Sequence, residues 1–258
     1  MGFKNVNFAH LAKFNSAASS EFIEFYENLV DCKIREKYDK LASQTFAPSS
    51  FSCSRKSWFR LRGVQPDSPK SVDRTLNFTA EIGTACHLII QKNLKSALGS
   101  DWIAVKDFLT ANPIPYKYTL EESDEGLETK VAIEDPPIHF ACDGIIRWKD
   151  QIYLLEIKTS EYNSFNELTD PKSIHVDQIK CYATLLGISH VLVLYQDRQY
   201  GGLKCYEMTI SQQDKDAVIG EFQHVQFMVE ANLAPDRLAR NDYRCTHCEY
   251  AKRCKEWG

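Results

Sequence analysis

The sequence predicts an α/β protein with a mixed central β-sheet flanked by helices. Three observations carry that expectation. The N-terminal part has apolar residues at helical spacing, the middle changes to period-two alternation, and the C-terminal part runs helix, strand, strand, helix. Of 258 residues, 43% are hydrophobic and 26% are charged, an ordinary globular composition. A chain of this length buries roughly 70–75% of its unfolded surface and needs no staple merely to have a core. Its longest apolar stretch, Leu185 to Tyr195, is interrupted by Ser189 and His190 and falls short of the ~20 residues of a membrane span. The opening MGFKNVNFAHLAKF lacks the apolar run of a secretory signal, and Val6 stands where a myristoylation signal needs Ser or Thr. A cytoplasmic protein without membrane attachment is therefore expected.

Phe22, Ile23, Tyr26, Leu29 and Val30 predict a helix within residues 17–44, capped by Ser19 or Ser20. Residues 45–52, rich in Ser with one Pro, read as a loop. A basic, aromatic segment follows, with Cys53, Arg55, Lys56, Trp58, Phe59, Arg60 and Arg62, and then a connection over residues 63–73. Phe78, Ile82, Ala85, Ile89 and Leu94 predict a second helix from Asn77 to Leu98, with Gly83 inside it. Tyr116 to Glu121 and Glu128 to Glu134 alternate as strands about an acidic turn. His139 to Trp148 and Ile152 to Thr159 predict a hairpin turning at Lys149, Asp150 and Gln151. After a polar loop at 160–171, Lys172 to Leu186 reads as a helix ended by Gly187. His190 to Tyr195 and Leu203 to Ile210 read as strands, and Ser211 caps a helix reaching Ala231. A Cys-rich tail closes the chain. Three regions result: an N-terminal helical region at 1–75, an α/β core at 76–210, and a C-terminal helix with its cysteines at 211–258, the first and last packing as an accessory lobe.

The net charge of −4 argues against a coat of non-specific positive charge, but it suits an enzyme that confines its basic residues to one groove. Nine cysteines without a secretory signal are expected as thiols or metal ligands. Cys245, Cys248 and Cys254 crowd into the tail and provide three soft ligands. A closed site needs four, and Cys53 is the candidate for the fourth. Zn²⁺, with Cys53 or His247 completing the set, competes with an iron–sulfur cluster at this spacing. Cys32, Cys86, Cys142, Cys181 and Cys205 are expected as small buried hydrophobes.

The chemistry is expected on the hairpin. Glu156 and Lys158 lie on one face of a strand, Ile157 on the other, and the tight turn brings Asp143 of the preceding strand close. An exposed Glu–Lys pair on an edge strand would be worth little. Here, however, Glu156 and Lys158 interrupt the apolar run beginning at Ile152, and Asp143 lies between Ala141-Cys142 and Gly144-Ile145-Ile146. Charges within apolar strands need partners or a metal. Two carboxylates suit Mg²⁺ or Mn²⁺, which polarises a phosphoryl oxygen and lowers the pKa of bound water. A neighbouring ammonium can orient the water or stabilise developing charge.

Asp143 followed by Glu156-Ile157-Lys158 resembles the PD-(D/E)XK nuclease superfamily, whose core is restriction-endonuclease-like. The segment GTACHLIIQ resembles its RecB-like branch, in which a helix carries Gly and then a metal-binding His; the matching residue is His87. Gln178 and Tyr182 match the Q-x-x-x-Y spacing that follows in that branch, on a helix that contacts DNA. Cys53 with Cys245, Cys248 and Cys254 is similar to the iron–sulfur subgroup, which includes CRISPR-associated exonucleases and AddB-type helicase–nucleases. The resemblance implies a metal-dependent DNA exonuclease acting on single-stranded ends in recombination, replication or CRISPR adaptation. Asp143, Glu156 and Lys158 would be catalytic. His87, Asp143, Glu156 and the Ile157 carbonyl would hold Mg²⁺ or Mn²⁺. The four cysteines would hold a structural [4Fe–4S] cluster. Gln178, Tyr182, Arg55 and Arg60 would bind substrate, the last two beside Trp58 and Phe59 on a single-strand path. The alternative for that segment is an amphipathic helix with both aromatic rings in the core and its charges solvated. The alternative for the whole chain is a non-catalytic single-strand-binding module stabilised by Zn²⁺. With no GxxxxGK[ST] element, the chain is expected to carry no helicase motor of its own. The resemblance implies DNA as partner, with the chain acting alone in recombination or replication or beside recombination or CRISPR adaptation proteins.

Overall fold

The structure, a computed structural model, describes residues 16–38, 44–67, 73–123, 125–239, 241–246 and 248–257. The chain forms two compact units, one of residues 1–40 with 68–78 and one of residues 41–67 with 79–258. Residues 41–67 and the C-terminal region thus belong to the same unit as the sheet, which differs from the three-region division expected above. In the first unit, α1 (Ser16–Tyr38) is helical as its spacing predicts, with Ser19 and Ser20 inside the helix rather than at its cap. The Arg74 guanidinium there pairs with Asp31 at 2.5 Å and with Glu27 at 2.9 Å.

The second unit is built on a mixed five-stranded sheet of β1 (Trp102–Ile103), β5 (Gly144–Trp148), β6 (Gln151–Ser160), β7 (His190–Asp197) and β8 (Leu203–Thr209), in that order. The β6–β7 pair is parallel and the other pairs are antiparallel. The parallel pair needs a crossover, and α6 (Ser173–Leu186) supplies it. Gly187 ends α6 at φ +71°, a left-handed conformation that glycine adopts without strain. Ser211 and Asp214 form a reciprocal capping box on α7 (Gln212–Glu230). A second sheet of β2 (Tyr118–Glu122), β3 (Thr129–Ile133) and β4 (Ile138–Cys142) is antiparallel. A mixed five-stranded sheet with flanking helices is consistent with a restriction-endonuclease-like core.

Three elements depart from the sequence reading. The run from His139 to Trp148 is not one strand. It divides at Asp143 into β4 and β5, which belong to different sheets. The short β1 and α4 (Val105–Ala111) fill the stretch before β2; Val105, Phe108 and Leu109 are buried at helical spacing. The polar loop after β6 contains α5 (Tyr162–Asn166), because Phe165 and Leu168 turn into the core.

The sheet separates two apolar layers. Leu154, Val191, Val193 and Tyr195 pack in the main core with Ile179 and Leu185 of α6. Leu155 and Ile157, on the opposite face of β6, pack with Ile146, Trp102 and Ile90 of α3 (Arg74–Leu98). The basic–aromatic segment becomes α2 (Ser54–Leu61) and buries its rings as the amphipathic alternative has it, Trp58 and Phe59 being 0% and 1% exposed, but Arg55 is buried rather than solvated. The Trp58 indole donates to the Met228 carbonyl of α7 at 3.2 Å, and Phe59 stacks on Tyr250 with ring centroids 5.2 Å apart. Cys142 and Cys181 are buried as expected, whereas Cys86 is half-buried and Cys32 and Cys205 are exposed.

Gly144, the first residue after the sheet change, lies under the Trp102 indole. A Cβ there would come 2.8 Å from the ring. Gly144→Ala is expected to destabilise the protein by about 1–3 kcal/mol through overpacking, read as a lower midpoint in chemical denaturation. Glycine at this position is then a packing requirement of the turn that carries Asp143.

Candidate active site

The β5–β6 register pairs Gly144 with Leu155, so one step further along the ladder Asp143 stands opposite Glu156. Both carboxylates are buried, at 6% and 3% exposure. Asp143 Oδ2 accepts the Ile157 N–H at 2.8 Å, which ties the residue between the two sheets to the active strand. Its Oδ1 lies 3.4 Å from His87 Nδ1. Lys158 Nζ reaches Glu156 Oε1 at 2.6 Å and donates to Gln178 Oε1 at 3.0 Å. Asp143, Glu156, Lys158, His87 and Gln178 therefore come together from α3, the sheet change, β6 and α6.

The electrostatics follow from burial and mutual charge. Burial pushes the Glu156 carboxyl up to about 7, the Asp143 charge pushes the same way, and Lys158 opposes both. Burial works to lower the His87 imidazole, but the hydrogen bond to Asp143 and its charge outweigh this and leave it raised. Among the described residues no three His, Cys, Asp or Glu side chains close around one point as a metal-ligand set would. Glu156 is instead turned to Lys158, whose ammonium supplies the positive charge that a buried carboxylate pair requires.

Several contributors escaped the sequence reading. Gln91 is buried one helical turn beyond His87, and its amide donates to the Asp143 carbonyl at 2.8 Å and to the Leu127 carbonyl at 3.4 Å. Its i, i+4 relation to His87 was the available signal. Glu128, beside β3, faces the same cluster. Its carboxyl is raised by burial and then by the Asp143 charge, with His87 opposing. Gly83 lets α3 approach β6, since a Cβ there would lie 3.2 Å from Thr159 Oγ1.

The expected substrate contacts are placed unevenly. Gln178 borders the site through Lys158. Tyr182 is buried against Phe140, ring centroids 5.0 Å apart, and reaches the site only as the acceptor of the Gln178 amide. Arg55 is also buried; its guanidinium donates to the Pro235 and Trp257 carbonyls at 2.7 and 2.9 Å. Arg60 lies 3.5 Å from Glu249. These two arginines hold the tail onto α2 instead of projecting as a base-stacking path, because the aromatic residues between them are spent in the core.

Cys53 precedes α2, Cys245 and Cys248 lie in the tail, and Cys254 lies in α8 (Ala251–Glu256). All four border one cavity of about 940 Å³, together with Arg237 and Lys56. Burial pushes the thiols of Cys53, Cys245 and Cys248 up, and neighbouring cysteines push each of them the same way. The surrounding contacts hold the two chain regions together directly. Arg244 donates to the Ser52 carbonyl at 2.7 Å, and the Asp67 carboxylate accepts the Lys252 N–H at 2.6 Å. His247, the other fourth-ligand candidate, lies outside the described residues.

No helix among the described residues is long and apolar enough to cross a membrane. No protein-family model matches the sequence, and no curated protein matches it. Among solved structures the chain is similar to SSO0001, at 18% identity and a TM-score of 0.47, over 88% of this chain and 94% of that one. It is also similar to an alkaline exonuclease, LHK-Exo, from Laribacter hongkongensis, at 13% identity and a TM-score of 0.42, over 76% of this chain and 93% of that one.

Proposed function

We propose that the chain is a metal-dependent DNA nuclease of the RecB-like type, an exonuclease that hydrolyses phosphodiester bonds from single-stranded ends. The observation that carries the reading is the gathering of two buried carboxylates, an imidazole and an ammonium at the point where the chain passes between sheets. The order of His87, Asp143, Glu156-x-Lys158 and Gln178-x-x-x-Tyr182 along the sequence supports the same assignment. A role in recombination, replication or CRISPR adaptation within a bacterial or phage-infected cytoplasm accords with it.

The donor set of carboxylate oxygens and an imidazole fits a hard divalent cation. Asp143, Glu156, His87 and the Ile157 carbonyl would hold Mg²⁺ or Mn²⁺, which supplies Lewis-acid polarisation and a more acidic bound water. Asp143 is fixed by the Ile157 N–H and, through its own carbonyl, by Gln91. Lys158 neutralises Glu156 at rest and stands where it can stabilise negative charge developing on phosphoryl oxygens. Gln178 holds that ammonium in place, and Tyr182 in turn orients Gln178. Separately, a structural [4Fe–4S] cluster, with Zn²⁺ as the competing occupant, is the reading that the cysteine spacing supports; the four thiols border one cavity, although no three of them close around one point as they stand.

The purified protein is expected to shorten end-labelled single-stranded DNA only with Mg²⁺ or Mn²⁺ present. Lys158→Ala should lower kcat by about 10²–10⁴-fold with the circular dichroism unchanged. A wild-type protein that binds the strand without cutting would instead identify the Zn²⁺-stabilised binding module.

Glu156 makes activity and metal-free stability run in opposite directions with pH. Its folded pKa is raised, so its contribution to stability is complete below the unfolded carboxylate range, near 4.5, and is lost as pH rises through about 7. The melting temperature of the metal-free protein should therefore fall across that window, and Glu156→Gln should flatten the fall. Cleavage, which needs the ionised pair, should rise over the same window.

For the tail, anaerobically purified protein is expected to be brown and to contain iron and acid-labile sulfide. Cys248→Ala should remove the colour and lower the melting temperature, because binding of a structural metal is coupled to folding. Colourless protein containing Zn²⁺ would reassign the site.

A further inference from the structure

One half-buried polar arrangement beside the site has no part in the roles assigned so far. His175 lies three residues before Gln178 on α6, so the two share a helix face. Tyr195 of β7 is the ladder partner of Lys158, and paired residues on neighbouring strands point to the same face of the sheet. His175 and Gln178 thus form one wall over Tyr195 and Lys158. Tyr195 is fully buried, and its hydroxyl accepts the Lys172 N–H at 3.2 Å. The same hydroxyl lies 2.7 Å from His175 Nδ1. Among the described residues, His175 Nδ1 is the acceptor available to the Tyr195 proton, so Nδ1 accepts and Nε2 carries the hydrogen. Burial, then the charges of Lys158 and Lys172, push the imidazole down to about 3, so the ring stays neutral at any pH at which the enzyme works. Nε2 has no hydrogen-bond partner among the described residues.

We infer that His175 is a substrate-contacting residue: Tyr195 locks its tautomer so that Nε2–H is presented, as a neutral donor beside Lys158, to a phosphate oxygen of the bound strand. The inference rests on the nuclease reading and extends it to a residue outside its motifs. A neutral donor suits this position. Lys158 already supplies one charge, and a second cation there would compete with it for Glu156. Anion recognition by a fixed uncharged N–H adds a contact without that competition.

Two substitutions separate contact from support. Asn in His175→Asn can reach Tyr195 but is too short to replace Nε2, whereas Gln in His175→Gln extends an amide donor to the Nε2 position. Steady-state cleavage of a short single-stranded DNA should show KM raised about tenfold by His175→Asn, the loss of one hydrogen bond to a charged group, with kcat within about twofold. His175→Gln should restore KM to near the wild-type value. Tyr195→Phe, which frees the tautomer, should raise KM by a smaller factor. An unchanged KM in His175→Asn, equal effects of Asn and Gln, or a loss confined to kcat would overturn the inference while wild-type cleavage leaves the nuclease reading standing. A wild-type protein that cleaves no strand overturns both.

Discussion

Two buried carboxylates facing each other across the β5–β6 ladder are the constraint on which the rest of this site depends. Both side chains are buried, and burial together with the Asp143 charge disfavours the charged form of Glu156. That arrangement persists in a folded protein only if positive groups and backbone donors are built around it. The structure provides Lys158 on Glu156, His87 and the Ile157 N–H on Asp143, and Gln91 on the Asp143 carbonyl. Each of these residues is then constrained in turn. Lys158 requires Gln178, Gln178 requires Tyr182, and Tyr182 is anchored by its stack on Phe140.

The sheet change at Asp143 makes such a concentration of charge compatible with a packed core. A residue in the middle of a continuous strand would face one layer only. At the break between β4 and β5, Asp143 is reachable both from α3, on the Ile157 side, and from the Glu156 side, where α6 packs. The close approach that this requires explains the two glycines that matter locally: Gly144 beneath Trp102 and Gly83 beside Thr159. The site is therefore a property of where two sheets and two helices meet, more than of any one element.

The α2 segment illustrates how the same residues support two readings until packing decides. Arginine, lysine and aromatic residues in alternation suit a strand-binding path and equally suit a helix that buries its rings. Burial of Trp58 and Phe59 removes them from any base-stacking role, and Arg55 then satisfies carbonyl groups that the C-terminal tail leaves near the helix. Arg62 follows the same logic, lying over the Trp58 and Trp257 rings at 4.7 and 5.5 Å. The basic residues here are structural cement between the region before the sheet and the region after it, alongside the four cysteines that border the shared cavity.

The amino-acid sequence by itself determined what depends on short-range geometry. Strand alternation put Glu156 and Lys158 on one face, Ser211 marked a helix start, Gly187 marked a helix end, and the tight turn between β5 and β6 brought Asp143 toward Glu156. These features follow from backbone periodicity and from preferences that act within a few residues. Only the tertiary structure decided that β4 and β5 part company at Asp143, that α2 turns inward, that Gln91 and Glu128 face Asp143, and that His175 meets Tyr195. Each of those outcomes rests on contacts between residues far apart in the chain: Trp58 with Met228, Gln91 with Asp143, His175 with Tyr195. Local patterns carry no record of such pairings, because a buried polar side chain looks the same in sequence whether its partner is water or a carboxylate from another sheet.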